Sequence, residues 1–127
     1  MFLTKIKEGY IDVPKLPEDK EFKRGIYIFV YKKKVIKVGL FGEGVGSNAK
    51  SRFSGYRTVG KNIKPGNGSY KTMKVINENL SVGEKVEVRF KEIPNDYIEK
   101  GEYRYIVDIY YEEDKLKKRY KNSLWLN

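Results

Sequence analysis

Two short apolar segments in the first third of the chain carry the clearest structural pattern. Residues 25–31 are almost all β-branched or aromatic, which predicts a strand. Residues 35–40 are again mainly apolar and follow after three lysines, so the two segments are expected to pair as an antiparallel hairpin. Residues 85–90 alternate between charged and apolar side chains, and this period of two predicts a third strand.

Helical spacing of apolar side chains occurs in three further segments. Residues 49–56 and 70–80 place apolar side chains three or four positions apart, as expected for amphipathic helices. A longer stripe runs over residues 98–120 and predicts a third helix, which Gly101 weakens. This helix is expected to begin either after a cap at 94–96 or, beyond the glycine, near Glu102.

Residues 1–22 contain two prolines and several acidic residues but no long apolar periodicity, so they are predicted to form an N-terminal arm. Residues 23–127 are then expected to form one domain, which suits a chain of 127 residues. The predicted order of elements is β-β-α-α-β-α. This order favours an α+β fold in which helices flank a small, three-stranded, mainly antiparallel sheet.

The composition excludes several kinds of chemistry. The chain has no cysteine and no histidine, which excludes disulfides, thiolate nucleophiles, Ser-His-Asp triads and the commonest zinc ligands. No apolar run approaches the ~20 residues of a membrane-spanning helix, and the first residues do not have the pattern of a secretory signal. We therefore expect a cytoplasmic protein that does not bind membranes.

The distribution of charge points to a polyanionic partner. The chain has 27 basic and 17 acidic residues, which gives a net charge of +10. Residues 25–74 hold 11 of the basic residues and a single acid, Glu43, whereas basic and acidic residues balance in the rest of the chain. Such a concentrated basic block is typical of a nucleic-acid-binding face. The alternative is a lysine-rich surface that only keeps the protein soluble.

Several motifs occur in an order that has a counterpart among known proteins. Gly25-Ile26-Tyr27 opens the first strand, and Lys37-Val38-Gly39 follows ten positions later on the second. Arg52 lies in the next helix, and Glu102 is followed by aromatic residues and an isoleucine. With Asn127 as a degenerate closing motif, this arrangement resembles the GIY-YIG nuclease superfamily, in particular its small phage-type or restriction-type endonucleases.

The resemblance implies a metal-dependent DNA endonuclease that hydrolyses phosphodiester bonds. Tyr27 is then the general base, Lys37 and Arg52 hold the phosphate, and Glu102 binds a divalent cation, expected to be Mg²⁺. The residue types support these roles. Cations lower the pKa of a nearby phenol, a guanidinium matches phosphate oxygens, and a carboxylate suits a hard cation. Glu102 also shares the apolar stripe of the third helix, where a buried carboxylate needs a partner.

Several assignments stay open at this point. Lysine stands at position 37 where the family has its second tyrosine, and it can either lower the pKa of Tyr27 or bind the phosphate. Arg57 is an alternative to the arginine assigned above. Glu112 and Glu113 are alternatives to the glutamate assigned to the metal.

The expected partner is double-stranded DNA. Its contacts are predicted on basic side chains in and after the first helix and on the C-terminal amide, namely Lys50, Arg57, Lys61, Lys64 and Asn127. A double-strand cut would need two active sites and hence a homodimer, whereas a monomer would nick one strand.

Two other functions fit the same sequence. Replacement of the second tyrosine is compatible with a catalytically inactive GIY-YIG-like protein that binds nucleic acid without cutting it. A small basic RNA-binding protein, whose aromatic side chains stack on bases, is the third interpretation. Metal-dependent cleavage of plasmid DNA separates the first function from the other two.

Overall fold

The computed structural model describes residues 1–16, 23–42, 48–66, 68–93 and 96–126. Within these residues the chain forms ten elements, in the order β1 (Phe2–Lys7), β2 (Tyr10–Asp12), β3 (Gly25–Tyr31), β4 (Lys34–Phe41), α1 (Ala49–Gly60), α2 (Gly68–Asn79), β5 (Lys85–Glu92), β6 (Tyr97–Lys100), β7 (Tyr103–Ile106) and α3 (Ile109–Arg119). The predicted α+β class is confirmed. None of the helices in the described part of the chain is long and apolar enough to cross a membrane.

The main sheet has five strands, so the prediction of three strands is wrong. Its order is β2-β1-β5-β3-β4, and every neighbouring pair is antiparallel. Strands β3, β4 and β5 correspond to the three predicted strands. The two further strands come from residues 2–12, which the sequence pattern assigns to an arm.

A buried lysine explains why the sequence conceals strand β1. Lys5 is 2% exposed and lies on the core-facing side of the strand, two residues after the buried Leu3. Its ammonium group donates to the backbone oxygens of Asn77, at 2.6 Å, and of Leu80, at 2.8 Å. Carbonyl groups at the C-terminal end of a helix lack helical partners, so the lysine satisfies the end of α2. A charged residue on the buried side removes the alternation that predicts a strand.

Helices lie on both faces of the main sheet. Strand alternation sends Tyr27 and Phe29 to the face that α1 and α2 cover, where they pack against Phe53. Ile26 points to the opposite face and packs in a second apolar cluster with Ile109 of α3. The tyrosine of the Gly-Ile-Tyr motif therefore belongs to the larger of the two cores.

The predicted third helix is wrong over its first half. Helix α3 begins only at Ile109, and the Asp108 carboxylate accepts hydrogen bonds from the backbone N–H groups of Tyr110 and Tyr111, at 3.0 and 3.3 Å. Before it, β6 and β7 form a separate hairpin that turns at Gly101, where φ is +65°. Glycine at positive φ suits a tight turn, and the tyrosines and isoleucines around it favour strands.

Candidate active site

The hydroxyl group of Tyr27 lies in a buried phenol pair. Tyr27 is on β3 and Tyr56 is on α1, and their hydroxyl oxygens are 2.6 Å apart. Both side chains are almost completely buried. Gly39 lies opposite Tyr27 on β4, and a Cβ atom there would come within 2.4 Å of the phenol oxygen. The glycine of the Lys-Val-Gly motif therefore leaves the space that the Tyr27 ring occupies.

Arg52 extends this pair toward the surface of the protein. It lies one helical turn before Tyr56, and its Nη2 donates to the Tyr56 hydroxyl at 3.1 Å. Its guanidinium group also stacks over the Tyr56 ring, 4.8 Å from the ring centre. Tyr56 was not predicted as a site residue, although its spacing of four positions from Arg52 on one helix face is a usable signal.

One donor of Arg52 is left over. Its Nε atom is buried and has no hydrogen-bond partner among the residues that the structure describes. Buried donors are normally paired, and a guanidinium group matches the oxygens of a phosphate. The unpaired donor therefore fits an anion that enters the site from outside.

Lys37 lies on β4 and is surrounded by charged groups from all three helices. Burial lowers the pKa of Lys37 to about 8, and the positive charges of Arg52, Lys117 and Lys71 contribute. The Glu113 carboxylate acts in the opposite direction. At neutral pH a measurable fraction of this amine is uncharged, because its pKa is close to the ambient pH.

The glutamate that reaches this group is Glu113 and not Glu102. Glu113 lies on α3 with its side chain 19% exposed, and it forms a salt bridge of 3.5 Å with Lys117. Glu102 is exposed in the turn of the β6–β7 hairpin, outside any helix, so its predicted position on an inward helical stripe is wrong. Glu112, the other alternative, lines a cleft with Ile93 and residues of the hairpin.

The predicted effect of the basic surroundings on Tyr27 is also wrong. Burial raises the pKa of the Tyr27 phenol well above its usual range, and the neighbouring Tyr56 raises it further. The charge of Arg52 lowers the pKa but does not offset the burial. The resting site therefore holds a protonated Tyr27.

Glu113 can contribute to a metal site, although not alone. Among the described residues no three acidic side chains lie close enough together to hold a metal ion. A hard divalent cation takes most of its ligands from water and substrate phosphate when the protein offers one carboxylate. The donor set around Glu113 fits that kind of site and does not fit a closed structural metal centre.

The predicted DNA contacts lie along α1 and after it. Lys50 and Arg57 line a cleft of about 140 Å³ together with Lys15, which the sequence pattern did not single out. Lys61 and Lys64 are exposed in the segment that follows α1. Asn127 lies outside the described residues.

Comparison with known proteins supports the fold. No family model matches the chain, and no curated protein matches it in sequence. Among solved structures, the chain is similar to bacteriophage T4 EndoII, a GIY-YIG-type nuclease, in a form that carries an alanine substitution. The match covers 100% of this chain and 89% of EndoII, with a TM-score of 0.65 and 20% sequence identity. At this identity the likeness establishes a shared fold.

Proposed function

We propose that this protein is a metal-dependent endonuclease that hydrolyses phosphodiester bonds in double-stranded DNA. The observation that carries the proposal is the buried, unpaired Nε of Arg52 beside the phenol pair. This donor lies in a site that also holds a lysine of lowered pKa and the influence of one carboxylate. The shared fold with a phage endonuclease and the basic block of residues 25–74 support the same conclusion.

In this proposal Arg52 binds the scissile phosphate and Tyr27 acts on it only through position. The phenol pair fixes the guanidinium group by the Tyr56 hydrogen bond and by stacking. Lys37, in its uncharged form, accepts a proton from the attacking water. The water oxygen bonds to phosphorus, the bond to the 3′ oxygen breaks, and that oxygen takes a proton from solvent. The products carry 5′-phosphate and 3′-hydroxyl ends.

Glu113 is the residue that would hold a divalent cation, expected to be Mg²⁺, whose charge stabilises the leaving oxygen. The salt bridge to Lys117 keeps this carboxylate ionised and oriented in the absence of other ligands. Tyr27, the base expected from the sequence, would first have to lose a proton that burial holds in place. Lys37 is therefore the better proton acceptor.

Cleavage of supercoiled plasmid DNA tests the proposal. We expect nicked or linear product with Mg²⁺, no product with EDTA, and loss of product in Arg52→Ala. The exposed Lys118 on α3 offers a matched control, since Lys118→Ala also removes one positive charge but should retain activity. Salt-sensitive binding without cleavage under any divalent cation would instead identify an inactive nucleic-acid-binding protein.

A further inference from the structure

The β6–β7 hairpin presents an apolar face to solvent. Ile98 lies opposite Tyr105 in the register of the two strands, and Tyr103 shares their side because it lies two residues from Tyr105. These side chains are 55%, 50% and 67% exposed, respectively. Within the described residues the two strands pair only with each other. The apolar face is therefore not covered by the main sheet.

The exposed apolar surface continues beyond this face. Ile106 at the end of β7 is 83% exposed, and Tyr110 and Tyr111 at the start of α3 are at least half exposed. If each of the six side chains offers about 200 Å² when fully exposed, roughly 700 Å² of this area remains in water. A standard interface buries about 800 Å² on each partner. The surface is thus large enough for a specific protein contact.

Charge distinguishes this hairpin from the rest of the protein. Residues 97–106 hold two acidic and two basic side chains and are neutral, whereas the whole chain carries +10. Glu99 and Arg104 form a salt bridge of 3.3 Å, and Arg104 lies over the Tyr97 ring on the side away from the apolar face. DNA gains little electrostatic attraction here. Two copies of a strongly basic chain repel each other least when their neutral surfaces meet.

We propose that the apolar face of the β6–β7 hairpin binds the same face of a second copy of this chain. A two-fold axis would bring Ile98, Tyr103 and Tyr105 of each copy against those of the other, as an isologous interface requires. This inference does not depend on the nuclease activity. Its failure would leave the proposed function untouched, because the residues around Arg52 lie in other elements.

Sedimentation of the purified full chain between 1 and 100 µM tests the interface. We expect a dimer, and we expect Tyr103→Lys combined with Tyr105→Lys to raise its dissociation constant by roughly 30-fold or more, as for loss of a binding hot spot. Val82→Lys is the matched control, because Val82 is 61% exposed outside the hairpin. This control should leave the dissociation constant unchanged. Circular dichroism melting verifies that each variant is folded.

Disulfide trapping provides a second measurement that does not rely on the lysine variants. The chain has no cysteine, so Tyr103→Cys introduces a single thiol on the apolar face. Mild oxidation should join two copies rapidly in this variant and slowly in Val82→Cys. A wild-type chain that stays monomeric at 100 µM would overturn the proposal. So would a dimer that survives the lysine variants, or lysine variants that change DNA affinity and leave self-association unaltered.

Discussion

The hydroxyl of Tyr56 lies 2.6 Å from that of Tyr27 and reaches it from a helix. A second tyrosine on the neighbouring strand, at position 37, is what the resemblance leads one to expect. Here the strand supplies Lys37 and the helix supplies the phenol. The two changes leave a site in which the buried phenols position Arg52 while the amine is free to titrate.

Unfolding measurements should detect the phenol pair. Tyr56→Phe leaves the buried Tyr27 hydroxyl without its partner, at a cost of about 1–3 kcal/mol in the free energy of unfolding. Adding Tyr27→Phe removes that orphaned hydroxyl. The double variant should therefore be more stable than the sum of the single effects by about 1 kcal/mol, as measured by urea titration at pH 7. Additive single effects would contradict the pairing.

The pH dependence of cleavage should identify the role of Lys37. If the uncharged amine is the base, kcat/KM rises as pH approaches the Lys37 pKa of about 8 and then levels off. Lys37→Arg, which stays charged, should lose this limb and cleave roughly 100-fold or more slowly. Lys34→Arg, in the exposed first residue of the same strand, should keep the wild-type profile. A rate that falls as pH passes 8 would show that Lys37 acts only as a cation.

Lys37 should also reduce the stability of the fold at neutral pH. Its pKa is about 8 in the folded chain and near 10.5 when unfolded. The unfolded chain therefore binds more protons between these values, and the free energy of unfolding rises with pH across that window. Lys37→Met should stabilise the protein at pH 7 by about 1–2 kcal/mol, an amount reduced by the partial solvation of the amine. The gain should shrink toward pH 10, which thermal melts at several pH values can measure.

The two candidate glutamates give opposite expectations. Glu113→Gln should reduce Mg²⁺-dependent plasmid cleavage by roughly 100-fold or more, since it removes the proposed metal ligand. Its DNA binding should be retained or tightened, because a negative charge near the phosphate is lost. Glu102→Gln changes an exposed hairpin turn and should cleave within about twofold of wild type. The reverse outcome would return the metal site to the hairpin.

The sequence predicts the parts of the fold that depend on near neighbours. The β3–β4 hairpin lies at the predicted positions, and helices α1 and α2 and strand β5 end within a few residues of the predicted limits. Each has a single clear period and a turn or cap at its ends. In α1, for example, Asn48 accepts a hydrogen bond from the Ser51 backbone N–H at 2.9 Å, as a helix cap should.

The errors arise where one pattern fits two structures or where a partner is distant. The apolar residues at 98, 105, 106 and 109 have helical spacing, yet the first three also alternate within a hairpin. This ambiguity moved the predicted carboxylate from Glu113 to Glu102. Strand β1 was hidden because Lys5 finds its partners about 75 positions away, at the end of α2. Similarly, only the fold reveals that Tyr27 is too deeply buried to ionise readily.

The absence of a side chain at Gly39 makes two positions interchangeable only as a pair. A Cβ at 39 would meet the Tyr27 ring at 2.2 Å, so neither serine nor alanine fits while the aromatic ring is present. In a library randomised at both codons, functional survivors with tyrosine at 27 should all retain glycine at 39. Larger residues at 39 should appear only beside a small residue at 27, and hence in folded clones without cleavage. Covariation of these two positions is thus a fingerprint by which distant relatives with an intact phenol pocket can be distinguished from those that have lost it.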